Sequence, residues 1–244
     1  MIKFKNLRKD YGYNRALKNL NLEIKDGEIF GLIGHNGAGK STTIKSLVSI
    51  IRPTSGKIYV DGKDLEKNRV EIKKMIGYVS DTPNAFLKMS AIEFWRFVGD
   101  AYGVSKEKRE KMLEYLCPIF SLDENYNSPI EQFSHGMKQK AFIIAALISE
   151  PKIWVLDEPM TGLDPQSSYN LKELMRKHAD EGNTVIFSTH VLEVAEQICD
   201  RIGILRKGEL IFSGTMDELK NLHPGESLEK IYLQMINTEE NSSN

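Results

Sequence analysis

From Lys3 to Arg8 and from Lys18 to Lys25, apolar and polar residues alternate. That is the period of strands with one face on a core and one toward water. Asp26-Gly27 follows as a turn, so the N-terminal part of the chain is expected to form a small antiparallel layer. Three later runs have a different pattern: EIFGLIG (Glu28 to Gly34), KIWVLDE (Lys152 to Glu158) and NTVIFSTH (Asn183 to His190). Each is short, continuously apolar and bounded by helical periodicity, which predicts strands buried on both faces of a parallel sheet. Each ends in glycine or polar residues, and in doubly wound sheets the ligand lies just beyond the carboxyl ends of the strands. Three distant segments therefore point at one crevice.

Between these runs, residues 82–132 carry helix signals. Ser90 and Glu93 are spaced as a capping box, and Ile92, Trp95, Val98 and Tyr102 recur with helical spacing. This predicts an inserted helical subdomain. Its aromatics Phe86, Phe94, Trp95 and Phe97 suit a core, while Phe86, Phe94 and Trp95 also suit anchors for a partner, and spacing does not separate the two. After Ile211, Thr215 and Glu218 signal another helix start, Leu228, Ile231, Tyr232 and Met235 give a second apolar stripe, and the end NTEENSSN is expected to be disordered. No internal repeat and no second phosphate loop occurs.

Composition narrows the class. The 244 residues have a net charge of −1, with 33 Lys and Arg against 34 Asp and Glu, so no global basic footprint for nucleic acid is present. The longest apolar stretch, Ala141 to Ile148, falls short of the roughly 20 residues needed to cross a bilayer, and MIKFKNLRKD has no signal-peptide core. A cytoplasmic chain is expected. Cys117 and Cys199 lack metal-ligand spacing and are read as buried thiols.

The chemistry starts at GHNGAGKS, Gly34 to Ser41, which fits G-x-x-x-x-G-K-[ST] between an apolar run and a helical pattern. Gly34, Gly37 and Gly39 let the backbone turn and aim N–H groups inward, Lys40 can reach terminal phosphates, and Ser41 offers an oxygen to Mg²⁺. Asp157 and Glu158 follow IWVL directly, so one carboxylate can hold Mg²⁺ while the other faces an attacking water. His190, at the end of VIFSTH, can hydrogen-bond a phosphate or that water.

In order, the phosphate loop, the segment FSHGMKQK (Phe133 to Lys140), the strand ending Asp-Glu-Pro, TGLDP and STH make the chain resemble the ABC-type ATPases over about residues 1 to 220. The resemblance implies an α/β fold. Its RecA-like parallel-sheet core of the P-loop NTPase type would carry an N-terminal antiparallel β subdomain and an inserted α-helical subdomain. Residues 1–222 would form one ATPase domain, with the nucleotide-binding parts at 1–81 and 133–222, the helical part at 82–132, and a C-terminal helix and tail at 223–244. ATP and Mg²⁺ are the implied cofactors. Tyr11 matches the aromatic that stacks on adenine, with Tyr13 the fallback. Gly34, His35, Asn36, Gly37, Ala38, Gly39, Lys40, Ser41 and Thr42 match the phosphate loop. Asp81 stands at the position of a Gln that joins two subdomains and meets Mg²⁺. Ser134, Gly136 and Gln139 match the signature, Asp157 holds Mg²⁺ through water, Glu158 polarises the attacking water, Asp164 lies in a loop at the dimer interface, and His190 is the switch histidine. Two chains would pack head to tail, so that Ser134 of one covers ATP on the loop of the other.

Two positions depart from the family pattern. Asp81 puts a negative charge where the family has an amide, although a carboxylate can still ligate Mg²⁺. His135 replaces the first glycine of the signature, which costs about 1 kcal/mol or more only if that backbone needs φ > 0. The chain most resembles stand-alone ATPases of bacterial exporters for peptides, drugs or similar amphiphiles. That implies integral membrane permease subunits as partners, a homodimer or paralogue pair, a peripheral place on the cytoplasmic face of the membrane, and no nucleic acid. The alternatives are a soluble ATPase acting on nucleic acid or ribosomes, and a nucleotide sensor without turnover.

Overall fold

The computed structural model describes every residue except 83, 123–125, 223 and 238–244. The alternating N-terminal segments form an antiparallel hairpin, β1 (Ile2–Tyr11) and β2 (Asn14–Ile24), turning at Gly12 and Tyr13. Along β2, Leu17, Leu20, Leu22 and Ile24 are buried and the charged positions face out, as a strand with a single core face requires. Next come β3 (Ile29–Ile33), α1 (Lys40–Leu47), β4 (Ser55–Val60), β5 (Lys63–Asp64), α2 (Arg69–Lys73) and β6 (Ile76–Val79). Three helices follow, α3 (Ala91–Tyr102), α4 (Lys106–Ile119) and α5 (His135–Ile148), with a 3-10 turn at Ile130–Gln132 before the last. The chain continues through β7 (Ile153–Leu156), α6 (Pro165–Asp180), β8 (Thr184–Thr189), α7 (Leu192–Ile198), β9 (Arg201–Arg206) and β10 (Glu209–Gly214). It closes with α8 (Met216–Asn221) and α9 (Leu228–Asn237).

Among the described residues the strands make two sheets. One is antiparallel in the order β2-β1-β4-β5. The other runs β10-β9-β3-β8-β7-β6 and is parallel except for the hairpin of β9 and β10. The three continuous apolar runs are β3, β7 and β8, buried along their whole lengths. Their register pairs Ile33 with Thr189 and Leu156 with Phe187, so the carboxyl ends lie level. The residues just past those ends share one rim.

Side chains on either side of the parallel sheet build separate cores. Phe187 and Trp154 face Trp95, Ile144 and Met175 in the helical layer. Ile186, Val155 and Phe30 face Phe4, Leu20 and Ile44 of the antiparallel sheet and α1. A third cluster joins Ile33 and Ile204 to Leu219, Ile231 and Tyr232 of α8 and α9. Helix α3 starts at the expected capping box of Ser90 and Glu93, and α8 at that of Thr215 and Glu218.

The aromatic patch divides. Phe94 and Trp95 are buried, Trp95 Nε1 donating to Ala141 O at 2.9 Å, whereas Phe86 and Phe97 are about half exposed. Phe94 and Trp95 are therefore core and not surface anchors: they lie on the side of α3 that packs on α5. No helix among the described residues is long and apolar enough to cross a membrane. The disorder expected of the C-terminal end falls on 238–244, outside the described residues.

Candidate active site

The loop between β3 and α1 folds around missing side chains. A Cβ at Gly34 would lie 2.7 Å from Leu205 O, and one at Gly39, where φ is 112°, would lie 2.9 Å from Ala16 O. Both positions are closed to larger residues. Ala38 N donates to His35 O at 3.1 Å, and α1 begins at Lys40 with no acidic residue in its first turn. The free N–H groups and positive end of that helix favour an anion. Lys40 is buried, and its Nζ donates to Gly34 O at 2.6 Å and His35 O at 3.3 Å. The cation is folded over the loop it would share with a phosphate.

The end of β7 brings two carboxylates to the same rim. Asp157 is fully buried: its Oδ1 accepts from Ser188 Oγ at 2.6 Å and from Ser41 Oγ at 3.1 Å, and its Oδ2 is buried without a partner. Burial pushes this carboxyl above its ordinary pKa, the two hydroxyls pull it back, and the nearby Asp81 charge pushes it up again. Glu158 has a left-handed backbone, φ 49°, and its N–H donates to Ser188 Oγ at 2.9 Å. Its Oε2 lies 2.9 Å from His190 Nδ1, which must be the donor because a carboxylate only accepts. Its Oε1 is 3.2 Å from Lys40 Nζ, an ion pair without an aligned hydrogen bond.

An orphaned buried carboxylate oxygen beside a serine hydroxyl fits a hard cation. Among the described residues no group of three or more His, Cys, Asp or Glu could hold a metal. The Asp157 carboxylate and the Ser41 hydroxyl suit Mg²⁺, which takes one or two protein carboxylates and fills its shell with phosphate oxygens and water.

A cleft of about 600 Å³ opens over the loop, lined by Tyr11, His35, Asn36, Gly37, Gly39, Lys40, Ser41, Thr42, Asp81 and Glu158. Tyr11 thus lies at the cleft, whereas Tyr13, fully exposed at the hairpin tip, does not line it. Asp81 accepts from Ser80 Oγ at 3.0 Å just past the end of β6. Gly34 and Ala38 are buried beneath the cleft and contribute backbone only. Ser134, Gly136 and Asp164 do not line it. Ser134 is the exposed N-cap of α5, accepting from Met137 N at 3.2 Å. Gly136 abuts Gly162 O, where a Cβ would collide. Asp164 caps α6 and accepts from Lys140 Nζ and Ser167 Oγ, both at 2.7 Å, so Lys140 first and Ser167 second hold its carboxyl well below the usual range.

Gln139 departs from its expected place at a nucleotide. It is buried, 1% exposed, with Nε2 3.5 Å from Pro159 O, because its position on α5 turns it into the chain's own Asp-Glu-Pro turn. It links two parts of one chain. His135 is the first residue of α5, has no positive φ, and lies exposed with its ring against Gly162. The glycine of the family pattern is dispensable here on backbone grounds.

A family model described as "ABC transporter" matches residues 17–161, more than half of the chain. The chain belongs to the ABC transporter family. Within that family it is an ATPase that uses ATP with Mg²⁺. The linearmycin resistance ATP-binding protein LnrL of Bacillus subtilis (strain 168) is 36% identical over 237 residues, covering 97% of this chain and 76% of its own. A solved structure of an ATP-binding subunit of an ABC transporter superposes with a TM-score of 0.91 at 33% identity, over 96% of this chain and 99% of that one. A dimeric ATP-binding cassette, solved in a post-hydrolysis state with ADP and Pi, superposes with a TM-score of 0.80 at 29% identity, over 88% of this chain and 99% of its own.

Sequence reasoning missed several residues of the ATPase site. Arg15, Lys18 and Lys207 add positive charge to the cleft wall. Ser188 sits between the two carboxylate residues. The signal for Ser188 was a hydroxyl directly after the apolar stretch Val185 to Phe187, one of three hydroxyl residues in the run TVIFST.

Proposed function

We propose that this ATPase is the energy-coupling subunit of an exporter, hydrolysing ATP to move a drug, peptide or similar amphiphile through separate membrane-spanning subunits. The observation that carries the hydrolytic part is the chain of contacts at one rim. Lys40 pairs with Glu158, Glu158 is bonded to His190, and Asp157 beside them keeps one buried oxygen unpartnered. The relative named for linearmycin resistance supports the drug-exporter reading.

In this reading Tyr11 stacks on adenine, and the N–H groups of the loop and of α1 receive the phosphates. Lys40 leaves Gly34 O and Glu158 for the terminal phosphate. Ser41, Asp81 and, through water, Asp157 would hold Mg²⁺, which when bound would neutralise charge developing on the phosphoryl oxygens. Glu158, released from Lys40, orients the attacking water and takes its proton, and His190 fixes the Glu158 carboxylate through its Nδ1–H. Because Ser134 and Gly136 lie away from the cleft of their own chain, they act on nucleotide held by a second copy, with Asp164 at the seam. The dimeric cassette relative supports that arrangement. Residues 1–222 act as one domain, with 1–81 and 133–222 holding nucleotide and 82–132 reaching the membrane partner through Phe86 and Phe97. The ATPase then sits peripherally on the cytoplasmic face of the membrane. The balanced charge argues against nucleic acid as the partner.

Glu158→Gln tests the reading. Turnover should fall at least roughly a hundredfold while ATP binding persists, and the ATP-bound form should run as a dimer on size exclusion. Unchanged turnover would sink the general-base assignment, and a wild-type chain that binds ATP tightly but does not hydrolyse it would favour the sensor.

A further inference from the structure

We propose that Ser188 is a positioning residue for ATP hydrolysis, its one hydroxyl setting both carboxylates of the site. Ser188 lies near the end of β8, fully buried, and β8 is the parallel neighbour of β7. Its Oγ–H donates to Asp157 Oδ1 at 2.6 Å and its oxygen accepts from Glu158 N at 2.9 Å. Its one donor and one of its acceptor lone pairs are given to adjacent residues just past the end of another strand, β7.

Among the other buried hydroxyls, Ser90 and Ser167 also donate to carboxylates, but to those of Glu93 and Asp164, each three residues away in the capping turn of its own helix. Thr189 accepts from Val191 N, and the remaining three bond backbone carbonyls. Thr43 donates to Gly39 O and Ser46 to Thr42 O, each one turn back along its own helix, and Thr184 donates to Lys25 O. Those bonds satisfy a buried polar group with the nearest carbonyl. Ser188 alone among these joins the two carboxylate residues.

Each of its bonds has a geometric consequence. Donation to Asp157 Oδ1 holds that carboxylate in the rotamer that leaves Oδ2 buried and unpartnered. The second donor on Oδ1, Ser41 at 3.1 Å, belongs to the phosphate loop and is committed to Mg²⁺ in the function proposed above, on which this inference rests. Ser188 is then the donor that stays. Acceptance from Glu158 N pins a peptide whose left-handed φ of 49° is disfavoured for a side chain with a Cβ. That turn swings Glu158 toward Lys40 and His190. Without the hydroxyl, Asp157 Oδ1 and Glu158 N–H lose a buried partner together, and both side chains gain freedom to leave their places.

The test compares full-length wild type, Ser188→Ala, Ser188→Thr and Glu158→Gln. Steady-state turnover, the Mg²⁺ concentration for half-maximal activity, binding of a fluorescent ATP analogue in EDTA, and the melting temperature are read for each. Ser188→Ala should lower kcat about tenfold or more and raise the Mg²⁺ requirement by a similar factor. Its metal-free nucleotide affinity should stay within about twofold of wild type, and Ser188→Thr, which keeps the hydroxyl, should recover most of the loss. Should the alanine chain fail to fold, Ser188→Cys, which fills the site with a slightly larger thiol and weakens both bonds, carries the same expectations. A variant lacking the hydroxyl with wild-type kcat and Mg²⁺ requirement overturns the proposal, as does an equal loss of metal-free nucleotide affinity. An inactive Glu158→Gln beside an unaffected Ser188→Ala overturns only this inference, whereas an active Glu158→Gln overturns the reading beneath it.

Discussion

Glu158 adopts φ 49°, a conformation that costs a residue with a Cβ roughly 1–2 kcal/mol, and the cost is offset by contacts of both its backbone and its carboxylate. A buried hydrogen bond contributes about 1 kcal/mol, so the single N–H bond to Ser188 is of the right size to hold the turn. The loop and the Asp157-Glu158 pair were legible in the sequence because they are residue types at fixed spacing with one chemical meaning. Ser188 was not, since its meaning depends on which strand lies beside β7. Gln139 was misplaced for a related reason: a motif names a residue but not the helix face it occupies. Tyr11 and Tyr13 provide a residue-scale test, being two positions apart with only the first at the cleft. Tyr11→Ala should weaken ATP binding by about 1–3 kcal/mol, while Tyr13→Ala should leave it unchanged. Nucleotide titration of both variants decides this, and an effect of Tyr13→Ala equal to that of Tyr11→Ala would move the adenine to the hairpin tip.

Among elements, the strands that announced themselves were those with one environment along their whole length. β3, β7 and β8 are buried on both faces, and β1 and β2 alternate. β6 carries Gly77 and a part-buried Tyr78 within its four residues, unlike the continuously apolar β7 of the same length, and β9 begins and ends in arginine, so neither window reads clearly alone. They are strands because the sheet supplies their hydrogen bonds. Element α6 also carries a measurable pH response. His178 packs edge-on to Trp154, ring centroids 5.6 Å apart, and burial lowers its pKa below the ordinary 6.5, against weaker opposing effects of Glu181 and of its bond to Pro151. The unfolded chain therefore takes up a proton first as pH falls, so the stability is present above about pH 6.5 and is lost below it, through the depressed folded value. His178→Gln should be less stable than wild type near pH 8. The gap should narrow by about pH 5.5, because the variant lacks this proton uptake. Melting curves at the two pH values check it, and a gap that widens in acid would show the imidazole to be charged in the fold.

At the scale of the whole molecule, the nucleotide cleft and the exposed aromatic patch are separate features connected through the helical layer. Phe86 stacks on Phe94 with centroids 5.5 Å apart, Phe94 contacts Phe142 of α5 at 4.8 Å, and α5 begins at the Ser134 cap. Phe86 is thereby packed against the helical layer that leads to the Ser134 cap, the segment that in the proposed dimer would meet a second copy's ATP. Phe86 also contacts Phe97 at 5.1 Å, so the two exposed rings form one surface and not two isolated residues. If that surface is where the membrane subunits dock, replacing both rings with alanine should leave ATP turnover of the isolated chain within about twofold and lower its melting temperature far less than loss of a fully buried ring, because each ring is about half exposed. Association with the membrane subunits should weaken by about 2 kcal/mol or more, roughly thirtyfold, as for central aromatic anchors. Trp95→Ala should behave in the opposite way. It removes a fully buried ring and costs about 3–5 kcal/mol of stability, so the isolated chain itself should melt early whether or not a partner is present. Co-purification of the tagged ATPase with its co-expressed membrane subunits, read beside melting curves of the isolated variants, separates the outcomes. Undiminished recovery with the double alanine variant would place the membrane contact elsewhere on the helical layer.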